Sequence, residues 1–216
     1  ERGENELPGA ILNASKEHPV KVVTLSQYWL PTGFPWDLLN TQAQMFSNWR
    51  ENNVNGIVED GAFMQGNVQI GEGTVVKSGA RIIGPASIGH HCLIESEAYI
   101  GPYTSIGHGT VVRPRCLIED ASVFDGVTID HASIIRHAVI GKGSSIGERS
   151  HLISHHPHDK TIKSMVKGKW IDTHLNALGA ILADNVTLGA QTTILPGMKI
   201  WPGITTDIGQ VVDSDL

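Results

Sequence analysis

The sequence predicts a parallel β-helix built from six-residue repeats, running from about Val58 to Ile200. Three observations carry this. Val58, Met64, Ile70, Val76, Ile82, Ile88, Ile94, Ile100, Ile106, Val112 and Ile118 fall six residues apart without a break. The residue two before each is usually small, as at Thr74, Ala80, Ala86, Cys92, Ala98 and Cys116. A glycine often follows, as in Ile70-Gly71, Ile88-Gly89, Ile106-Gly107 and Ile140-Gly141. A helix of period 3.6 cannot hold every sixth residue on one face. A short strand followed by a sharp corner can. The aliphatic residue fills the interior, and the small residue two before it also points inward, because strand side chains alternate. The glycine is expected to supply corner dihedrals. Units of this kind stack into a solenoid whose neighbours pair as parallel strands.

The frame then stumbles. Ile118 to Val123 is five residues, and Ile129 to Ile134 reads as a second five-residue step before Ile140, Ile146 and Leu152 resume sixes. Residues 153–179 leave the pattern, and Leu182, Leu188, Ile194 and Ile200 restore it. Long excursions from a solenoid tend to line its functional face. Within this one, Ile162–Val166 and Lys169–Asp172 flank Lys167-Gly168 and read as a hairpin.

The N-terminal part differs. Residues 20–25 read as a strand and Asp37 to Trp49 as a helix with a ragged apolar face, joined by a turn at Pro31, Gly33 and Pro35. Residues 1–53 therefore form an appendage (strand, turn, helix), expected to pack on something else or on the first coil. Residues 54–216 form the β-helix with its excursion at 153–179.

Totals exclude several classes. The net charge of −6 gives no basic footprint, so nucleic acid is not an expected partner. No apolar run reaches the roughly 18 residues of a membrane span, and Glu1-Arg2-Gly3-Glu4 has no apolar signal-peptide core. Cys92 and Cys116 make no disulfide framework and are expected to be inert core. A soluble cytoplasmic protein is the expectation. The sequence has no starting Met, which points to a fragment or a processed product.

A family resemblance rests on ordered segments. Tyr28-Trp29-Leu30-Pro31-Thr32-Gly33-Phe34-Pro35-Trp36-Asp37-Leu38-Leu39 resembles the segment that closes a sugar-1-phosphate nucleotidylyltransferase domain. Met165-Val166-Lys167-Gly168-Lys169, Leu178-Gly179-Ala180 and Thr193-Ile194-Leu195-Pro196-Gly197 resemble the C-terminal half of bifunctional archaeal-type enzymes. Those enzymes join nucleotidyl transfer to N-acetylation of an amino-sugar 1-phosphate. The resemblance implies a left-handed β-helix, acetyl-CoA as co-substrate, a phosphorylated sugar as partner and a homotrimer. It implies His131 as general base, accepting a proton from the attacking amine, with Lys160 and Lys163 as anion ligands and Ser154 at a substrate contact. Arg113 could supply further positive charge.

The chain also departs from the family. Pro31 stands where a magnesium-ligating Asp is usual, and proline offers no carboxylate to a hard cation. The Gly-rich nucleotide-binding segment would lie before Glu1, so this chain is not expected to transfer a nucleotidyl group. Glu119 replaces a phosphate-binding Lys, Ile134 a Tyr, Ser154 an Asn, and Leu175-Asn176-Ala177 an Arg-Arg-Lys cluster. Glu119 would repel a bound dianion. These changes favour an alternative, in which the β-helix is a non-catalytic trimerisation or regulatory module. A further alternative comes from the eleven histidines. His90 and His108 are eighteen residues apart and should stack roughly 4.8 Å apart, and His151, His155, His156 and His158 cluster at the loop mouth. This is similar to the γ-class carbonic anhydrases, but the sequence offers no matched three-ligand set for zinc, so no metal is predicted.

Overall fold

The computed structural model describes residues 7–26, 29–49, 52–158 and 161–216. Two compact units are present, Glu1–Pro31 and Thr32–Leu216. The first holds helix α1, Leu7–Ala14, whose Pro8 sits in the first turn where its missing N–H has no helical partner to lose. Residues 20–25, expected as a strand, form none: Val22 and Val23 are exposed, and no strand pairs with them among the described residues. A strand needs a neighbour for its backbone groups, and no described segment of this unit supplies one.

The second unit is a three-sided parallel solenoid of about nine turns, matching the left-handed β-helix expected. The first face carries, among others, Ala86–Ile88, Thr104–Ile106, Ser122–Val123, Val139–Ile140 and Ile181–Leu182. The second carries Leu93–Ile94, Val111–Val112, Thr128–Ile129 and Ser145–Ile146. The third carries Tyr99–Ile100, Leu117–Glu119, Ile134–Arg136 and His151–Leu152. Three hexads make one coil, so partners lie eighteen residues apart, as Val75 with Leu93 and Leu93 with Val111. The interior is a column of aliphatic side chains, with Ile82, Ile94, Ile100, Ile118, Ile129 and Ile146 fully buried and the small residues Ala80, Ala98 and Cys116 filling the space between.

Both five-residue steps fall at one corner, between the third and first faces. Leu117 pairs with Ile134 and Ser122 with Val139, so these two coils have seventeen residues each. The first step is Ile118 to Val123, as read from sequence. The second is corrected: it runs from Ile135 to Ile140. Ile135 is fully buried beside Ile118 and Leu152, and Ser133, two before it, is buried as well. Ile134 points outward and is half-buried. Two adjacent isoleucines, each with a small residue two before it (Ala132 and Ser133), gave the hexad count no way to choose.

The role expected of the repeat glycine is also corrected. Gly71, Gly89, Gly107 and Gly141 do not have positive φ. They are required by close approach, since a Cβ on Gly141 would lie 2.4 Å from the Ala183 carbonyl carbon of the next coil. The left-handed position comes two residues later and takes several residue types, as at His91, Glu97 and Gly109.

Helix α2, Asp37–Ser47, ends two residues short of the expected Trp49. Asp37 receives the backbone N–H groups of Gly33 and Phe34 at 2.9 and 2.8 Å, fixing the turn before the helix. The helix belongs with the solenoid. Trp36 and Leu39 are buried against Val139, Leu178 and Ile181, and the Gln42 amide donates to the carbonyls of Tyr103 and Ala121 at 2.8 and 3.1 Å. It therefore packs on the middle coils of the first face and not on the first coil.

The excursion 153–179 contains the predicted hairpin, with Lys163–Val166 antiparallel to Lys169–Asp172. Its turn, Lys167-Gly168, has φ of 49° and 77°, the doubly positive geometry that matches strand twist.

Candidate functional site

The excursion leaves the solenoid and returns to it at the third-to-first-face corner. Ser154, its second residue, accepts the Leu178 N–H at 2.8 Å, and His137 of the coil below accepts the Gly179 N–H at 2.8 Å. Start and end are thus pinned to the corner that the short coils create. Against the excursion, Lys199 of the last coils is buried; its ammonium donates to the Ser164 hydroxyl at 3.0 Å and to the Met165 carbonyl, and pairs with Asp215 at 2.8 Å. The hairpin is so tied to the last coils. Beneath it lies a cavity of about 370 Å³ lined by Lys163, His156, Ile162, Trp170, Leu195, Pro196 and Met198.

The predicted site residues fall into two groups. Lys163 lies at this cavity, and Ser154 at the excursion's start. Lys160 lies outside the described residues. His131 and Arg113 lie elsewhere, at the corner between the second and third faces. Ile134 pairs with His151, which sets Ser154 level with His137 and leaves His131 at the other end of the third face. Six extended residues span roughly 20 Å, so one copy does not bring His131 to Ser154.

At its own corner His131 is oriented. Its Nδ1 meets the Asp130 carboxylate, and its backbone N–H donates to the same oxygen at 2.8 Å. That backbone bond, reinforced by the imidazole, holds the Asp130 carboxyl below the usual range despite a small burial cost. The outer nitrogen, Nε2, is left facing away from the carboxylate. Arg113 does not stand free to receive an anion, since Glu95 binds it at 2.7 Å.

Glu119, the reversed charge, is met by Arg136. The two share a register position on adjacent strands, and the Arg136 Nε lies 3.3 Å from the carboxylate. Compensation therefore comes from Arg136 and not from Arg113. His151, on the neighbouring strand, is pushed below its usual range by burial and then by the Arg136 charge.

Sequence reasoning missed one connected cluster. Asp120 Oδ2 lies 2.7 Å from His137 Nδ1, the rings of His137 and His155 are 5.6 Å apart edge to face, and Ser154 Oγ lies 2.9 Å from His155 Nδ1. The seventeen-residue spacing of Asp120 and His137 was the available signal, once the short coils were placed at one corner.

His90 and His108 stack as expected, with centroids 4.9 Å apart. Their Nδ1 atoms are occupied, however: His90 Nδ1 accepts the Glu72 N–H at 3.1 Å, His108 Nδ1 accepts the His90 N–H at 2.8 Å, and Asp125 accepts the His108 N–H at 2.7 Å. This is a side-chain ladder joining coils. Among the described residues no three His, Cys, Asp or Glu side chains are placed to share a metal ion. A larger groove of about 520 Å³ lies on the first face between Phe34, Trp36, Phe124, Val139, Ile181 and Trp201. It is apolar and contains none of the predicted site residues.

A hexapeptide-repeat β-helix with a pinned excursion at one corner is the class that fold and site define. The chain belongs to the GMPPB C-terminal domain family, whose model matches residues 82–203. Among curated relatives it is similar to the bifunctional protein GlmU of Methanocaldococcus jannaschii, 33% identical over all of this chain and 52% of that protein. It is 32% identical to a bifunctional sugar-1-phosphate nucleotidylyltransferase/acetyltransferase of Sulfurisphaera tokodaii, over all of this chain and 54% of that protein. A third, the GlmU of Methanococcus maripaludis strain C7, is 39% identical, again over the whole chain and 52% of its own length. The chain spans about half the length of these relatives.

Among the described residues no helix is long and apolar enough to cross a membrane.

Proposed function

We propose that this chain is the acyltransferase-type domain of a sugar-1-phosphate nucleotidylyltransferase protein, transferring an acetyl group from acetyl-CoA to the amino group of a sugar 1-phosphate. The observation that carries this reading is the excursion pinned at one corner, which sets Ser154 at its start and Lys163 over a cavity beneath its hairpin. The names of the relatives, bifunctional proteins that include an acetyltransferase, support the same chemistry. In this reading His131 is the base: its Nδ1 is held by Asp130, leaving Nε2 to accept the proton of the attacking amine. Lys163 and Lys160 bind anionic groups of the substrates. The Glu119–Arg136 pair lowers the repulsion that an unpaired carboxylate would exert on a phosphate. Nucleotidyl transfer is not assigned to these residues. The setting proposed is cytoplasmic.

His131 and Lys163 belong to different regions of one copy, so the reading requires a second copy to join them. A homotrimer packed side by side would place one copy's second-to-third corner against the neighbour's excursion. Mixing inactive His131→Ala protein with inactive Lys163→Ala protein tests this. A shared site regains a fraction of the wild-type rate after subunit exchange, because some interfaces then carry both intact residues. Active single variants, or a mixture as inactive as its parts, would count against a shared site. The alternative, a non-catalytic assembly module, is favoured by the Arg136 charge being spent on Glu119. It predicts a trimer with no affinity for acetyl-CoA.

A further inference from the structure

The cluster Asp120–His137–His155–Ser154 is a chemically organised group that the reading above does not use. We infer that His137, oriented by Asp120, is a second general base of the proposed acyl transfer, placed on the excursion side of each copy. The inference rests on the acyl-transfer reading.

Geometry fixes the roles. With the Asp120 carboxylate 2.7 Å from Nδ1, that nitrogen carries the proton and Nε2 presents its lone pair. The carboxylate would also stabilise the imidazolium formed once a proton is taken up, the orienting role a buried Asp plays for a catalytic His. Both residues sit at the five-residue steps with positive φ, 46° at Asp120 and 49° at His137. Positive φ recurs at the corners of the solenoid. At these two residues it is held by neighbouring coils and by the excursion: the Asp120 N–H donates to the Pro102 carbonyl, and the Gly179 N–H to the His137 carbonyl. Side chains of His137 and Asp120 remain about a quarter to a third exposed, 25% and 30%, so solvent and a ligand can reach them. His155, next to Ser154, stands edge-on to the His137 ring. The nearby charges are Glu119 and Arg136, which neutralise each other, and His151 on the adjacent strand.

The step balances. The acceptor arrives as its ammonium, and one proton passes to His137 Nε2, freeing the nitrogen lone pair. That nitrogen forms the new C–N bond to the thioester carbonyl carbon, and its second proton passes to His131 Nε2 of the neighbouring copy. The C–S bond breaks, the leaving CoA thiolate takes one of these protons, and the other is released to water. Asp120 is a positioning residue and touches no reacting atom.

The test uses the full chain with acetyl-CoA and glucosamine 1-phosphate, following thiol release, in wild type, His137→Asn, Asp120→Asn and His131→Ala. Asparagine tolerates positive φ, so the first two variants keep the corner; an unchanged melting temperature verifies this. The expected result is a kcat loss of about 10²-fold or more in His137→Asn, a smaller loss in Asp120→Asn, and an unchanged Kd for acetyl-CoA in both. Nitrogen-15 spectra should show His137 as the Nδ1–H tautomer. A His137→Asn rate within about threefold of wild type, with His131→Ala inactive, would overturn the inference and leave the acyl-transfer reading standing. An Nε2–H tautomer at His137 would also overturn it. Absence of turnover in wild type would end the acyl-transfer reading and this inference with it.

Discussion

Replacing Ile135 and Ile134 separately by alanine tests which of two adjacent side chains fills the solenoid. Ile135 is fully buried, with Ile118 and Leu152 directly beside it in register. Truncation to alanine removes three carbons, worth about 0.8 kcal/mol each when buried, or roughly 2.4 kcal/mol. A stacked column has little room to collapse into the hole, so a cavity term adds to this, giving about 3–4 kcal/mol within the range seen for such truncations. Ile134 is half-buried and faces outward between Leu117 and His151. Its truncation should cost about 1 kcal/mol or less. Urea denaturation followed by circular dichroism measures both, compared at equal slope so that the midpoint shift reports stability. A larger loss for Ile134→Ala than for Ile135→Ala would refute the placement of the second short step and move the corner that holds Asp120 and His137.

Other perturbations follow from the same geometry. His108→Ala removes the acceptor of the His90 N–H and should cost about 1 kcal/mol, with His108→Asn recovering part of it, measured by the same denaturation. Burial pushes the Cys116 thiol up to about 11, so it should resist aromatic disulfide reagents at pH 8 in the native chain and react at once in urea. Because burial and Arg136 lower the folded-state value of His151, the unfolded chain binds that proton more readily. Stability should therefore fall as pH drops below the unfolded value of about 6.5, and His151→Asn should flatten that part of the curve. Gly141→Ala should destabilise strongly, since its Cβ would meet the backbone of Ala183 and Asp184 at 2.4 to 2.6 Å.

Much of the fold was legible because a hexad repeat writes its interior directly into the sequence. Every aliphatic residue from Ile70 to Ile118 in the frame is buried, and the hairpin around Lys167-Gly168 closes as its turn residues require. What failed did so for local reasons. Ile134 and Ile135 are chemically identical, so periodicity alone could not place the step. The glycine after each aliphatic residue was read as a dihedral requirement, whereas the next coil's backbone makes the demand. Residues 20–25 have strand composition without a partner strand among the described residues. The candidate site was less legible, because the resemblance named His131, Ser154 and Lys163 without saying that His131 lies at one corner and the other two in the excursion at another. Asp120 and His137 meet only through the shortened coils, a relation no local motif displays.

Titrating acetyl-CoA into the full chain by calorimetry, then adding glucosamine 1-phosphate to follow thiol release, decides whether the solenoid transfers an acetyl group. The expected result is saturable binding of the donor and release of free thiol only when the amino sugar is present. No binding at millimolar acetyl-CoA would contradict it and leave the solenoid as an assembly module.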